Sequence, residues 1–365
     1  MPWNWELAEW PKFKFDQAAI AKQEKEFLLG VGGAFAFLKN IGQDEYNRFV
    51  VEILSSEGLD SSKIEGEILD RESLQSSIKQ HFGLQLQPSK KQKSPKEWGM
   101  AKLLCDVYSS FDQPLTHQML FNWHATLFMG STEIDDLGKY RTHAEPMQIV
   151  SNRYGSQKVF FEGPPSMQVA KEMEQFVAWF NSKDISEAIL SRAAIAHVYF
   201  ESIHPFEDGN GRIGRLLIEK ILSQGVSRPI LIAISKILEK RKKEYYAALE
   251  KCNRTLQVQE WVEFFADVVL QGQVESMELL SFLIQKSKIL SSLAGNINQR
   301  QEKLLLRLFA EGPTGFKGGL SAENYISITH ASRATATRDL TDLVEKGALV
   351  KTGELRHTRY WPKLS

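Results

Sequence analysis

Apolar residues recur at helical intervals through most of the 365-residue chain. Ile189, Ala193, Ala196 and Phe200 fall at the three-, four- and seven-residue steps of one helix face, which predicts a helix over 186–200. Ile213, Leu216, Leu217 and Ile221 repeat the pattern up to Gly225. Leu28, Leu29, Phe35, Phe37 and Leu38 keep helical spacing too, but the cluster Gly30, Gly32 and Gly33 is expected to interrupt that helix. One segment departs from the pattern. Gln148 to Phe161 reads QIVSNRYGSQKVFF, with β-branched and aromatic residues on both sides of an Asn-Arg-Tyr-Gly turn, and Gly163-Pro164-Pro165 closes it. That predicts a β-hairpin. The polar, basic run from Pro88 to Pro95 predicts a linker. No internal repeat is visible.

These patterns divide the chain into an N-terminal helical domain (1–87), a long helical domain (98–290) and a tail (296–365) of different character. In the tail, helices are expected near Glu302–Ala310, from Ser321, and over Ser332–Lys346, with Gly347 as a left-handed C-cap. Ala348–Leu355 and His357–Trp361 then read as two strands around a Thr352-Gly353 turn. Three helices and a hairpin are the order of a winged helix-turn-helix. The fold class is therefore mainly all-α.

Composition narrows the function. Hydrophobic residues at 42% and charged residues at 25% exclude a disordered or collagenous chain. The 45 Lys and Arg balance 45 Asp and Glu, so no whole-chain basic field exists, while local ones are possible within that sum. Two cysteines, Cys105 and Cys252, exclude a disulfide scaffold and favour a reducing, cytoplasmic setting. No apolar run is long enough for a transmembrane helix, and MPWNWELAEW has no basic start or apolar stretch, so neither membrane insertion nor a secretory signal is expected. Trp3, Trp5 and Trp10 are expected to supply buried anchors.

The candidate chemistry lies in Ile203-His-Pro-Phe-Glu-Asp-Gly-Asn-Gly-Arg-Ile-Gly-Arg215. Pro205 disfavours helical geometry in the residue before it, so the preceding helix must end near His204. Gly209, Asn210 and Gly211 permit a turn whose backbone N–H groups point one way, a nest for anions. A helix restarts near Arg212, so the nest sits where the helix dipole also favours negative charge. Arg212 and Arg215, three apart, can reach one phosphate chain. Asp208 offers a hard oxygen suited to Mg2+, and His204 a base near neutral pH. Together they point to nucleophilic attack on a phosphate ester of a nucleotide. His197, seven residues before His204, reads as a packed or hydrogen-bonded histidine, since no third ligand at metal spacing accompanies it.

The stretch resembles the Fic family signature HPFx(D/E)GNGRxxR, with every defined position present. The resemblance implies a helical Fic core over roughly 100–270 that transfers AMP from ATP to a Ser, Thr or Tyr hydroxyl of a target protein or of itself. It implies that His204 is the general base and that Asp208 holds Mg2+ between the α- and β-phosphates. Gly209, Asn210 and Gly211, with Ile213 and Gly214, would bind nucleotide, Arg212 meeting the β- and Arg215 the γ-phosphate. The hairpin at 148–161 would be the flap on which the target docks, and Tyr246 would lie beside the adenine. Family members often form dimers, so the resemblance implies a homodimer. Relatives that transfer phosphate, UMP or phosphocholine leave the donor open.

Ser62-x-x-Glu65 taken alone is the pattern of a helix capping box. Beside the signature, Ser61-x-x-x-Glu65-Gly66 resembles the family's inhibitory motif (S/T)xxxE(G/N). An inserted Glu65 would pair with Arg215 and take the γ-phosphate position. The same carboxylate fits an alternative, positioning a water to remove AMP from a modified protein. A second alternative is a DNA-binding regulator whose Fic domain senses nucleotide. Residues 301–365 hold ten Lys and Arg against seven Asp and Glu, with Arg333, Arg338 and Lys346 on the third helix and Arg356 and Arg359 on the wing. That places DNA beside protein docking as a role for the tail.

Overall fold

A central helix that is apolar on every side must be surrounded. That helix is α7 (Ile189–Ile203), in which Leu190, Ala193, Ala194, Ile195, Val198, Tyr199, Phe200 and Ile203 are all buried. The computed structural model describes residues 1–84, 94–150, 158–182, 188–312 and 315–364. Before α7 come α1 (Ala21–Leu38), α2 (Gln43–Ile64), α3 (Arg71–His81), α4 (Pro95–Ser109), α5 (His117–Leu127), the strands β1 (Gln148–Val150) and β2 (Val159–Glu162), and α6 (Ser166–Asn181). After it come α8 (Asn210–Gly225), α9 (Ile234–Lys240), α10 (Lys242–Cys252), α11 (Gln259–Leu293), α12 (Gln299–Ala310), α13 (Ala322–Thr329), α14 (Arg333–Glu345), β3 (Leu349–Thr352) and β4 (Arg359–Pro362). The chain divides into two compact units, residues 1–40 with 50–276, and residues 41–49 with 277–365.

In the first unit α8 packs along α7, and α4, α5 and α6 pack around the pair. The tryptophans anchor the N-terminal segment. The Trp3 ring meets Phe161 edge-on at 5.4 Å, and Trp5 donates its indole N–H to the Glu162 carbonyl at 2.7 Å. Asn4 donates to Ser202 Oγ at 2.7 Å, so one short segment ties hairpin to α7. β1 and β2 pair antiparallel, Gln148 opposite Glu162 and Val150 opposite Val159; the turn expected at 152–155 lies outside the described residues.

Two expectations change here, at the glycine cluster and at Pro95. The glycine cluster does not interrupt α1, which runs through it. A Cβ on Gly30 would lie 2.3 Å from the Gln273 side chain, which itself donates to the Phe27 carbonyl at 3.1 Å, so this glycine answers a packing demand. Ser62-x-x-Glu65 lies at the C-terminal end of α2, where a capping box has no N–H groups to serve. Pro95 is not linker but the first residue of α4, where its missing N–H costs nothing; residues 88–93 lie outside the described set.

The second unit is built on Leu304, Leu308, Phe309, Tyr325, Leu340, Leu343 and Tyr360. Its helices begin at polar caps: Asn298 accepts from Arg300 and Gln301, Ser321 from Asn324, and Ser332 from Thr335. Gly347 carries the expected positive φ of 73°. Asp339 is buried and accepts from Tyr325 at 2.6 Å and Arg300 at 3.0 Å, joining α12, α13 and α14. β3 and β4 pair antiparallel, with Thr352 opposite Arg359. The connection is longer than the expected Thr352-Gly353 turn. Leu355–His357 form a 3-10 turn rather than strand, because Gly353 and Leu355 both adopt positive φ and bend the chain there.

Candidate active site

The end of α7 sets the geometry. His204 adopts a left-handed conformation, φ 49° and ψ 62°, that costs a non-glycine residue about 1–2 kcal/mol. Arg141, 1% exposed, holds it there. Its Nε–H donates to the His204 carbonyl at 2.9 Å, its NH1 to Ser166 Oγ at 3.0 Å, and its backbone N–H to the Pro205 carbonyl at 2.9 Å. His124 holds the next stretch. The Gly138 N–H donates to its Nδ1 at 3.0 Å, which leaves the proton on Nε2, 3.2 Å from the Asp208 carbonyl it serves. Its ring stacks on Phe206 at 4.3 Å, and burial pushes its pKa down to about 4, so it stays neutral as that acceptor role requires. Asn210 spends its side chain on the Phe206 backbone, accepting from the N–H and donating to the carbonyl, both at 2.9 Å.

With the loop fixed, α8 begins at Asn210 after Gly209 at φ 82°. The Gly209 N–H is capped by the Asp208 side chain. The N–H groups of Asn210, Gly211 and Arg212 have no backbone acceptor among the described residues. Three such groups at a helix N-terminus are an anion site. Ile213 is buried in the first turn. The Asp208 carboxylate, 61% exposed, lies 3.7 Å from Arg212. Among the described residues no group of three or more His, Cys, Asp or Glu could hold a metal. A divalent cation at Asp208 would take its other ligands from phosphate and water, and Mg2+ accepts such a donor set.

Both arginines of α8 are already paired. Arg215, 2% exposed, donates to Ser61 Oγ at 2.8 Å, the Ser61 carbonyl at 2.9 Å and Glu65 Oε1 at 2.7 Å. Burial opposes its charge, but Glu65, with Tyr245 and Glu201 beside it, outweighs burial and holds its pKa above the ordinary arginine range. Arg212, 6% exposed, meets Glu67 Oε2 at 2.7 Å, and Lys96 meets the other oxygen of Glu67 at 2.9 Å. A Cβ on Gly211 would lie 2.3 Å from Glu65 Oε1, so only glycine admits the carboxylate there. Gly66, φ 84°, turns the chain between the two glutamates. Lys63 pairs with Glu239 at 2.9 Å, and Lys242 donates to the Ile64 carbonyl, which fixes the end of α2.

Glu67, Arg141 and His124 have no local signal in the sequence: each is a lone residue whose partner lies far along the chain. Tyr246 is half exposed, its hydroxyl 3.5 Å from the Ile64 carbonyl. Tyr245, its neighbour, is buried and bonded to His197 Nε2 at 2.7 Å, so His197 is a hydrogen-bonded core histidine.

The signature loop, its arginines and their surroundings have matches among known proteins. Residues 114–222 match the Fic/DOC family. This part of the chain is a Fic domain. Residues 3–84, which carry Ser61 and Glu65, match a domain of unknown function, DUF4172. Protein adenylyltransferase Fic of Nematostella vectensis is 35% identical over 116 residues, 30% of this chain and 25% of that protein. Protein adenylyltransferase fic-1 of Caenorhabditis elegans is 34% identical over 86 residues, 23% and 16% of the two chains. The chain thus spans a quarter or less of the length of these relatives. A Fic family protein from Desulfovibrio desulfuricans G20 has the same fold, with a TM-score of 0.57, 21% identity, and coverage of 96% of this chain and 98% of that one.

Behind the Fic arginines lie two buried carboxyls, Glu57 on α2 and Glu219 on α8. The Ser235 N–H bonds both Glu57 oxygens at 3.0 Å. Burial pushes Glu57 from 4.5 up to about 7, and burial plus the charge of Glu57 pushes Glu219 well above the carboxylate range. The folded protein therefore binds more protons than the unfolded chain between about pH 4.5 and 7, and stability falls as pH rises through that window. Glu57→Gln removes the ionisable group while keeping one oxygen to accept from the Ser235 N–H. Its melting temperature is expected to fall less than wild type between pH 5 and 8; parallel curves would contradict the assignment. Glu67→Gln is expected to tighten inorganic tripolyphosphate at the α8 N-terminus several-fold by calorimetry, because Arg212 loses its competing anion.

Proposed function

We propose that this Fic domain transfers AMP from ATP to a Ser, Thr or Tyr hydroxyl of a target protein or of itself, and that the segment 61–67 restrains it. The observation that carries this reading is one place holding three free N–H groups, two arginines and a histidine. His204 takes the hydroxyl proton as the oxygen attacks the α-phosphorus; the bond to the bridging oxygen breaks and pyrophosphate leaves. The N–H groups of Asn210, Gly211 and Arg212 hold phosphate oxygens, and Arg212 and Arg215 neutralise the β- and γ-phosphates. Asp208 would hold Mg2+, which supplies further charge neutralisation on the phosphate oxygens. Tyr246 borders the adenine side. Ile149 on β1 is exposed, and this strand edge suits an extended target segment, whose backbone it would pair. The names of the curated relatives support adenylyl transfer.

Glu65 gives the restraint. While its carboxylate sits on Arg215, the γ-phosphate has no partner, and ATP is excluded or held unproductively. Glu65→Gly is expected to raise incorporation of label from α-labelled ATP at least about tenfold, and His204→Ala to abolish it, read by gel autoradiography. Equal labelling by wild type and Glu65→Gly would overturn the restraint. No label from ATP in Glu65→Gly would overturn the reaction, and label from another nucleotide would reassign the donor.

A second role for residues 296–365 is favoured by the exposed face of α14. Ala334, Thr337, Arg338 and Thr341 face outward there, with methyls, hydroxyls and a guanidinium but no large apolar anchor. Arg338 and the hairpin residues Lys351, Arg356 and Arg359 form no ion pair among the described residues. We infer that this winged helix binds duplex DNA. Fluorescence anisotropy of the full chain with a labelled duplex is expected to show salt-dependent binding, its log–log slope falling by about one in Arg338→Ala and in Lys351→Ala. No salt-dependent binding, or unchanged slopes, would assign the face to protein docking.

A further inference from the structure

Glu201 is the only carboxylate in α7, and the mechanism above leaves it unused. It lies three residues before His204, one helical turn away. The left-handed backbone of His204 turns the imidazole back over that turn, so Nδ1 lies 3.6 Å from Glu201 Oε2. Nδ1 is fully buried and has no hydrogen-bond partner among the described residues, while Nε2 is not among the buried unpartnered atoms and is left for a proton from outside. A buried ring nitrogen beside a buried carboxylate is satisfied by a shift of a few tenths of an ångström. Glu201 Oε1 is also buried without a partner among the described residues. It occupies the space where a Cβ on Gly214 would sit, 2.7 Å away, so that glycine of the signature makes room for this carboxylate.

The groups around Glu201 favour its carboxylate form. Burial works against the carboxylate, but a hydrogen bond from His204, closed by that small shift, with His197 and Arg215 nearby, outweighs burial and holds its pKa below the usual value. From other elements, Glu65 at the end of α2 and Tyr245 and Tyr246 on α10 also face this cluster.

We propose that Glu201 is a positioning residue for His204: its carboxylate accepts the Nδ1 proton, which fixes the neutral imidazole with the Nε2 lone pair free. When Nε2 takes the hydroxyl proton, the ring becomes an imidazolium with both nitrogens protonated, and Glu201, still a carboxylate, balances its new charge. The proton later leaves from Nε2 to solvent. The tautomer follows from the fold alone; only its effect on rate rests on the AMP-transfer reading.

The test is 15N NMR of the full chain with labelled histidine, the His204 signals assigned from their loss in His204→Gln. Above the titration range, wild type is expected to carry its proton on Nδ1, and Glu201→Gln to show a mixture with the Nε2–H form, because an amide can donate to Nδ1 as well as accept from it. A wild-type proton on Nε2 would overturn the proposal, and that result needs no variant to fold. In a Glu65→Gly background, Glu201→Gln is expected to lower kcat for AMP transfer at least about tenfold, with KM for ATP changed less than about twofold. An unchanged kcat, or a loss confined to KM, would remove the positioning role. The expected tautomer without AMP transfer in Glu65→Gly would leave the pair standing and overturn the reaction instead.

Discussion

The site depends on a buried arginine that always needs an anion. Arg215 is enclosed between α7, α8 and α2, and a guanidinium without a counter-charge in such a place is strongly destabilising. In this structure the anion is Glu65, supported by Ser61. On the proposed reading a triphosphate would offer the same charge at the same place. One position would then have two possible occupants, and the proposed restraint is competition between an internal carboxylate and a substrate phosphate. Glu65 is partly exposed where Arg215 is not, which lets the carboxylate be the member of the pair that leaves.

The signature works as a unit because several of its residues are spent on one another. Asn210 brackets the Phe206 backbone, Gly209 lets α8 start sharply, and Gly211 and Gly214 make room for Glu65 and Glu201. Two residues from outside complete the brace, Arg141 on the His204 turn and neutral His124 on the Asp208 carbonyl. The result is a preorganised set of donors whose positions depend on packing, so little has to rearrange when an anion arrives.

What was legible in the sequence was contiguous. His204 to Arg215 forms one turn and one helix start, and Pro205, Gly209 and the apolar repeat of α8 announce it. The caps Asn298, Ser321 and Ser332 and the terminator Gly347 are local signals of the same kind. The Ser61–Glu65 pattern was readable only beside the signature, since by spacing alone it suggested a helix start and it lies at a helix end. Arg141, His124, Glu67, Glu57 and Glu219 were not legible. Their roles come from partners on other elements, and no spacing rule encodes a tertiary contact. Gly30 misled for the same reason: its cause is Gln273, which lies on α11.

The most direct test of the competition is calorimetric titration of ATP with Mg2+ into wild type and Glu65→Gly. If an internal carboxylate holds the γ-phosphate position, the variant binds at least about tenfold more tightly, a difference of about 1.4 kcal/mol. Equal affinities in the two proteins would contradict the account, because Glu65 would then not be competing for Arg215.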